Sequence, residues 1–167
     1  MGYASHNRVV LDIDCGILSE NFSKISKSVA PLGTIVVLKA NAYGLGMRDI
    51  ARTLAAAGAA AIATAELDEA LEAAEFGLPV IILGTVLPDE LEPAIGAGIR
   101  IPVAGIAEAK AISAAALRLG DSGRAKCHLA VDTGMGRIGI RVDGADEEIA
   151  QIAALPGIEI EGMYSHF

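Results

Sequence analysis

Short apolar runs alternate along the chain with longer amphipathic segments, and glycine or proline separates most of them. The runs rich in Val, Ile and Leu predict β-strands, whereas Ala-rich segments with apolar residues every three or four positions predict α-helices. Strands are predicted at residues 8–13, 34–39, 59–64, 80–83, 99–103, 126–131 and 158–164. Helices are predicted at residues 19–29, 47–57, 66–77, 88–96, 107–119 and 143–155.

From residue 34 onward, six of these strands alternate with helices at a spacing of roughly 20 to 30 residues. This alternation predicts a parallel sheet with helical crossovers, either an open doubly wound sheet or part of a barrel. Three candidate functional residues, Lys39, Arg137 and His166, follow the ends of three different strands. Because barrels collect catalytic residues from several strand ends, we predict an α/β fold of the (β/α)8 TIM-barrel type. Only about six βα units are present, so the barrel is expected to be partial.

The composition limits which residues can form the core and which partners the protein can bind. With 53% apolar but only 4% aromatic residues, the core must consist mainly of Ala, Ile, Leu and Val. The formal net charge of −8 argues against a nucleic acid or an anionic membrane as partner. The longest apolar run, residues 54–65, is too short to span a bilayer. These features predict a soluble cytoplasmic protein in which Cys15 and Cys127 are buried free thiols.

The strand predicted at residues 34–39 ends in a lysine. Burying an ammonium ion is costly, so Lys39 must be paired, lie exposed in a cleft, or be neutral. A neutral lysine attacks carbonyl groups, which makes Lys39 a candidate to bind pyridoxal phosphate covalently. The turn-prone stretch after it offers backbone N–H groups and the Tyr43 hydroxyl to a phosphate. A lysine that simply reaches water is the alternative.

A second glycine-rich segment, DTGMGRIG at residues 132–139, formally contains the dinucleotide-binding pattern G-x-G-x-x-G. Its glycines run into residues 140–142 and do not open a helix, so a pyrophosphate would find no helix N-terminus. We interpret the loop as one that presents Arg137, a fixed cation suited to a phenolate or carboxylate oxygen.

The remaining polar residues have simpler interpretations. His128, Asp132 and His166 are residue types that can bind a metal ion together. Their separations in the sequence lack the short spacing that is diagnostic of metal sites, so we predict no metal. A solvated acidic helix face is predicted for Glu66, Asp68, Glu69, Glu72 and Glu75.

Three segments together resemble the alanine racemase family, which consists of pyridoxal-phosphate-dependent enzymes of fold type III. These segments are VLKANAYGLG at residues 37–46, DTGMGRIG at residues 132–139 and GMYSHF at residues 162–167. The resemblance covers essentially the whole sequence but only about the first half of a family member. It implies that residues 1–167 form a truncated N-terminal (β/α) barrel domain that binds pyridoxal phosphate, without the β-rich C-terminal domain.

The resemblance also implies an activity: interconversion of L-alanine and D-alanine, which supplies D-alanine for bacterial peptidoglycan. Lys39 is then the Schiff-base lysine and one of two catalytic bases, and Tyr43 binds the cofactor phosphate. Arg137 binds the substrate carboxylate beside the cofactor's phenolic oxygen, and His166 supports the cofactor ring through a second arginine. The other base, a tyrosine from the C-terminal domain of a partner subunit, lies beyond Phe167, so a homodimer or a complementing C-terminal portion is implied.

Two positions depart from the family pattern. Leu45 stands where histidine is usual, and Ala130 stands where many members have a lysine whose carbamate braces the arginine. An ion or a water molecule could brace Arg137 in its place. Because the second base and the C-terminal pocket residues of the family lie beyond Phe167, two alternatives stay open: a catalytically incomplete barrel fragment that binds the cofactor or serves only as structure, and an amino-acid racemase of broader specificity.

Overall fold

In the computed structural model, which describes residues 9–120 and 123–167, helices and parallel strands alternate along the chain. The helices are α1 (Cys15–Ser28), α2 (Lys39–Tyr43, a single left-handed turn), α3 (Met47–Ala56), α4 (Leu67–Ala74), α5 (Leu91–Gly96), α6 (Ile106–Arg118) and α7 (Ala145–Ala153). The strands are β1 (Ile35–Val37), β2 (Ala61–Thr64), β3 (Val80–Ile82), β4 (Ile101–Val103), β5 (Ala125–Asp132), β6 (Ile140–Arg141) and β7 (Ile158–Ser165).

Six strands lie side by side and run parallel in the order β1-β2-β3-β4-β5-β7. The link between β3 and β4 is made by Arg100, whose N–H donates to the Val80 carbonyl at 2.9 Å and whose carbonyl accepts from Ile82 N–H at 3.0 Å. The additional strand β6 pairs with the last two residues of β5. This arc of parallel strands with helical crossovers is the predicted partial (β/α) barrel.

Alternation along the strands separates the buried residues into two clusters. The larger cluster fills the space between the sheet and the helices, and its strand residues include Val36, Ile62, Val80, Ile82, Ile101 and Val103. The smaller cluster faces the inside of the arc and consists of Ala61, Ala63 and Ile81, with Leu83 packed against it. The inward residues of β2 are therefore small, which leaves open space inside the arc.

The amino-terminal segment differs from the prediction. Residues 9–13 form no strand and are exposed, with Val9 at 86% exposure, and Arg8 lies outside the described residues. A strand needs a neighbour to pair with, and none of the described strands pairs with this segment. Helix α1 begins earlier than predicted because Asp14 caps it: Asp14 Oδ1 accepts from Gly16 N at 2.8 Å and from Ile17 N at 3.0 Å. Among the described residues, no helix has the length and hydrophobicity needed to cross a bilayer.

A charged layer lies inside the arc where β4, β5 and β7 are adjacent. Glu161 accepts from Arg100 Nε at 2.7 Å and from Lys126 Nζ at 3.0 Å, and the Arg100 side chain is only 18% exposed. Burial works to raise the pKa of Glu161, but the hydrogen bonds from Lys126 and Arg100 outweigh it and lower that pKa. Next to this layer, partial burial lowers the pKa of the neighbouring His128. The interior is therefore polar at this level and apolar around β2 and β3.

Gly162 is required for the His128 ring to fit, since a Cβ on Gly162 would lie 2.9 Å from His128 Cε1. We expect Gly162→Ala to lower the free energy of unfolding by about 1–3 kcal/mol through overpacking, measured by urea denaturation. The matched control is Gly96→Ala in α5, where an added Cβ meets nothing within 4 Å. A second substitution, His128→Ala, should recover part of the loss; unchanged stability in Gly162→Ala would contradict this packing.

The two thiols differ, and the prediction that both are buried is wrong for Cys15, which is exposed at the start of α1. Cys127 is buried, and desolvation, followed by the charge of Glu161, raises its pKa to about 12. Because the thiolate is the reactive form, we expect a thiol reagent at about pH 8 to modify Cys15 and to spare Cys127 until denaturant is added. Peptide mapping of the labelled protein checks this; equal labelling of both residues in the folded protein would refute it.

Candidate active site

A cavity of about 450 Å³ opens inside the arc at the carboxyl ends of the strands. This volume lies within the range of small-molecule sites, about 300–1,000 Å³. The wall includes the small residues Ala65, Gly84 and Ala130, which leave the space that larger side chains would fill. Only glycine fits at position 84, because a Cβ on Gly84 would lie 2.3 Å from the Ala65 carbonyl oxygen. The other lining residues are Val37, Lys39, Tyr43, Leu83, Val131, Arg137, Ile138, Tyr164, Ser165 and His166.

Lys39 enters this cavity from the end of β1. The strand ends at Val37, two residues before the predicted end, although Leu38 N–H still donates to the Ala63 carbonyl at 2.8 Å. Lys39 is exposed, and in the part of the chain that the structure describes its side chain makes no ion pair or hydrogen bond. Of the three states predicted for this lysine, exposure in a cleft is the one observed.

The residues after Lys39 form a left-handed helical turn. Residues 40–43 have φ between 52° and 57°, although none is glycine. Ala42 N–H donates to the Leu38 carbonyl at 2.8 Å, and the Asn41 side-chain oxygen accepts from Met47 N at 2.7 Å. The N–H groups of Gly44 and Gly46 also donate to carbonyls within this stretch. The expectation that these N–H groups are available to a phosphate is therefore wrong.

Arg137 is presented by the glycine-rich loop after β5, as predicted, and Asp132 gives that loop its shape. Asp132 Oδ1 accepts from Gly134 N at 2.9 Å and from Gly136 N at 3.0 Å. These bonds, from Gly136 foremost, hold the pKa of Asp132 below its usual value. Gly139 has φ 144°, and a Cβ there would lie 2.5 Å from Asp132 N, so the loop folds tightly against its own strand.

Residues at the end of β7 line another side of the cavity. Tyr164, Ser165 and His166 all line the cavity. The Ser165 hydroxyl is 2.5 Å from the Thr133 hydroxyl, which ties the Arg137 loop to β7. Burial and the charge of Glu108 raise the pKa of Tyr164, and the charge of Arg137 partly offsets this. Tyr164 therefore presents a neutral hydroxyl near the Arg137 cation.

The structure brings all four predicted site residues, Lys39, Tyr43, Arg137 and His166, to one cavity. Ala130 is in the same wall, and within the described ranges no carboxylate forms an ion pair with Arg137. The cavity is therefore cationic although the whole chain carries a net charge of −8.

Two residues near the cavity were missed by the sequence analysis. Tyr164 could have been found, because strand alternation places Gly162, Tyr164 and His166 on one face. Glu69 was assigned to a solvated helix face, yet it is half-buried and accepts from Asn41 N at 3.1 Å and from Ala65 N at 3.2 Å. Its place at the third position of α4, where glutamate often caps backbone N–H groups, was the available signal.

Comparison with known proteins points to one family. The family model described as "Alanine racemase, N-terminal domain" matches residues 13–167. The alanine racemase of Clostridium perfringens (strain SM101 / Type A) is 40% identical over 160 residues, covering 93% of this chain and 41% of that relative.

Solved structures give the same result. Alanine racemase of Clostridium difficile 630 in complex with cycloserine superposes with a TM-score of 0.81 and 30% identity, over 90% of this chain and 42% of that chain. Histidine racemase from Leuconostoc mesenteroides subsp. sake NBRC 102480 superposes with a TM-score of 0.83 and 29% identity. The match covers 98% of this chain and 44% of that chain.

The chain thus spans less than half the length of each of these proteins. Over that length the comparisons confirm the predicted (β/α)8-barrel type of fold. The match to the family model over residues 13–167, with the three motifs gathered at one cavity, shows that this chain belongs to the alanine racemase family.

Proposed function

We propose that the protein to which this chain belongs interconverts L-alanine and D-alanine with pyridoxal 5′-phosphate as cofactor. The observation that carries this proposal is the meeting of Lys39, Tyr43, Arg137 and His166 around one cavity at the carboxyl ends of the strands. Relatives named alanine racemase support the choice of reaction.

The charge of the cavity fits this cofactor, which carries a phosphate, a phenolic oxygen and an aldehyde. Within the described residues, neither Lys39 nor Arg137 has a carboxylate partner, so both cations are available to an anionic ligand. Tyr43 would donate its hydroxyl to the phosphate, and His166 would support the ring. Arg137 would bind the phenolic oxygen through its planar donors. A cavity with a lysine amine and an unpaired arginine is suited to a phosphorylated aldehyde.

The chain's own residues would act as follows. When bound, pyridoxal phosphate supplies an electron-withdrawing ring that takes up the charge left on the substrate Cα. Lys39 Nζ would hold the cofactor at its carbonyl carbon and would also move a proton at the substrate Cα on one face. Arg137 orients the substrate by its carboxylate. Tyr164, whose pKa is raised by burial, can donate a hydrogen bond beside Arg137.

Racemisation also needs a base on the opposite face of Cα. We propose that a tyrosine from a β-rich C-terminal domain supplies it, contributed by a second subunit of a homodimer or by a complementing polypeptide. Residues 1–167 are then the N-terminal barrel portion, and this portion alone is catalytically incomplete. In the cell, the product D-alanine would serve peptidoglycan synthesis in the cytoplasm.

A racemase with a broader or different substrate range is the second candidate. The histidine racemase superposes on this chain as well as the alanine racemase does, with TM-scores of 0.83 and 0.81. The barrel strands described here are thus compatible with either substrate. Comparing racemisation rates of the full-length protein across alanine, serine and histidine separates the two candidates.

The test of the proposed function is to incubate the full-length protein with pyridoxal phosphate, reduce it with borohydride and map the modified peptide. We expect one pyridoxyl group, on Lys39, and loss of alanine racemisation by about 10²- to 10⁴-fold in Lys39→Ala. The matched control is Lys24→Ala, which removes a surface lysine paired with Glu20 and should leave the activity unchanged. Labelling scattered over surface lysines, with no racemisation by the wild type, would refute the proposal.

A second prediction concerns the loop that holds Arg137. Asp132→Ala removes the acceptor for Gly134 N and Gly136 N, so Arg137 loses its fixed position. Because Arg137 is assigned to the substrate carboxylate, we expect KM for alanine to rise about tenfold with a smaller change in kcat. Asp132→Asn keeps one oxygen acceptor and should lie between the wild type and Asp132→Ala.

The matched control for this loop is Asp68→Ala on the exposed face of α4, measured by the same steady-state kinetics. An unchanged KM in Asp132→Ala would contradict the assigned role of the loop.

A further inference from the structure

Glu69 connects the Lys39 turn to the neighbouring strand end. Its Oε1 accepts from Asn41 N at 3.1 Å, within the turn, and its Oε2 accepts from Ala65 N at 3.2 Å, directly after β2. Ala65 itself lines the cavity. One carboxylate on α4 therefore holds both a residue of the cavity wall, Ala65, and the turn that carries Lys39 and Tyr43. Hydrogen bonds to a carboxylate are stronger than those between neutral groups.

The turn needs such support because its backbone is strained. Four successive residues that are not glycine have φ of 52° to 57°. A left-handed conformation costs roughly 1–2 kcal/mol for each such residue, so the neighbouring structure must hold it in place. Within the turn the Asn41 side chain contributes one bond, to Met47 N. Among the described residues, Glu69 is the only side chain from another element that accepts a backbone N–H of the turn.

The geometry of this turn sets the position of Lys39 Nζ. Lys39 is the first residue of the turn, two residues before the N–H group that Glu69 holds, and Tyr43 is the last. Both side chains line the cavity, so any relaxation of the turn toward right-handed or extended backbone would move them together. A small displacement of a reacting amine lowers rate much more than it lowers affinity for substrate.

We propose that Glu69 is a positioning residue: it holds the left-handed turn and thereby places Lys39 Nζ for bonding to the cofactor and for proton transfer. The second part rests on the proposed function, whereas the first part concerns the turn alone. The next two glutamates have a different partner, since Glu72 in α4 and Glu75 directly after it both pair with Arg48 at the surface.

The experiment compares Glu69→Ala, Glu69→Gln and the matched control Glu72→Ala in the full-length protein. Glu72→Ala also removes one carboxylate from α4 but leaves Arg48 paired with Glu75. The first readout is hydrogen–deuterium exchange of peptides covering residues 39–46, which needs no cofactor. We expect exchange there to be at least about tenfold faster in Glu69→Ala than in Glu72→Ala.

The second readout is kinetic. We expect Glu69→Ala to lower kcat for alanine about 10- to 100-fold while KM changes less than about threefold. The yield of pyridoxyl-Lys39 after borohydride reduction should fall with kcat. Glu69→Gln keeps one oxygen acceptor in the same volume, so its loss should be smaller, and Glu72→Ala should match the wild type.

The outcomes separate this proposal from the proposed function. If Glu69→Ala equals Glu72→Ala in exchange and in kcat, the positioning role is wrong even though the wild type racemises alanine. Loss of the folded state in both Glu69→Ala and Glu69→Gln, seen by circular dichroism, would also overturn it in favour of a general stabilising role. If the wild type neither binds pyridoxal phosphate at Lys39 nor racemises alanine, the proposed function fails, and the exchange comparison still decides whether Glu69 holds the turn.

Discussion

Parallel pairing of the strands is the constraint on which the arrangement of this molecule depends. Because neighbouring strands run in the same direction, each one must be followed by a crossover, and all carboxyl ends meet at one edge. Lys39 follows β1, the loop with Arg137 follows β5, and His166 follows β7. These residues are far apart in sequence and converge because the ladders from β1 to β7 keep the strand ends level. The chemistry of the site is thus a consequence of strand direction before it is a property of any side chain.

The edge of the sheet at which the carboxyl ends of the strands meet also differs in charge from the rest of the chain. The chain has 21 acidic and 13 basic residues, so a cavity with positive potential is not what the composition alone would suggest. Several acidic residues lie on the outer helices and pair with surface cations, as Glu72 and Glu75 do with Arg48. Lys39 and Arg137 face an interior lined largely by alanine, glycine and aliphatic residues. Opposite charges are thereby separated between the outside and the cavity, which favours entry of small anions over binding of large ones.

The sequence predicted the type of nearly every element from residue 15 onward, because hydrophobic periodicity reports on burial and parallel strands are buried on both faces. Prediction from the sequence failed where the structure of a segment depends on pairing with a neighbouring segment. The segment at residues 9–13 has the apolar residues of a strand but no described partner.

Prediction of the site from the sequence also failed where the structure depends on tertiary contacts. Asn41 is of a type that tolerates positive φ, but Ala40, Ala42 and Tyr43 favour negative φ, so the local sequence does not indicate four successive left-handed residues. The third position of α4 indicated that Glu69 caps backbone N–H groups, but only the packing of α4 beside the Lys39 turn shows that Asn41 N is one of them. The four motif residues could be predicted because strand ends and glycine-rich loops are local features, whereas the groups that hold them are defined by tertiary contacts.

The charged layer of Arg100, Lys126 and Glu161 also bears on the register of the strands. In β-strands, a shift of one residue exchanges the two faces of the strand completely. A slip of β5 by one position would carry Lys126 from the interior of the arc into the apolar space beneath the helices, whereas β7 already holds a one-residue irregularity at Glu161. Such a slip would separate Lys126 from Glu161 and place the lysine among apolar side chains, which is unfavourable. The charged layer therefore favours the aligned sheet, in which Arg137 and His166 line the same cavity.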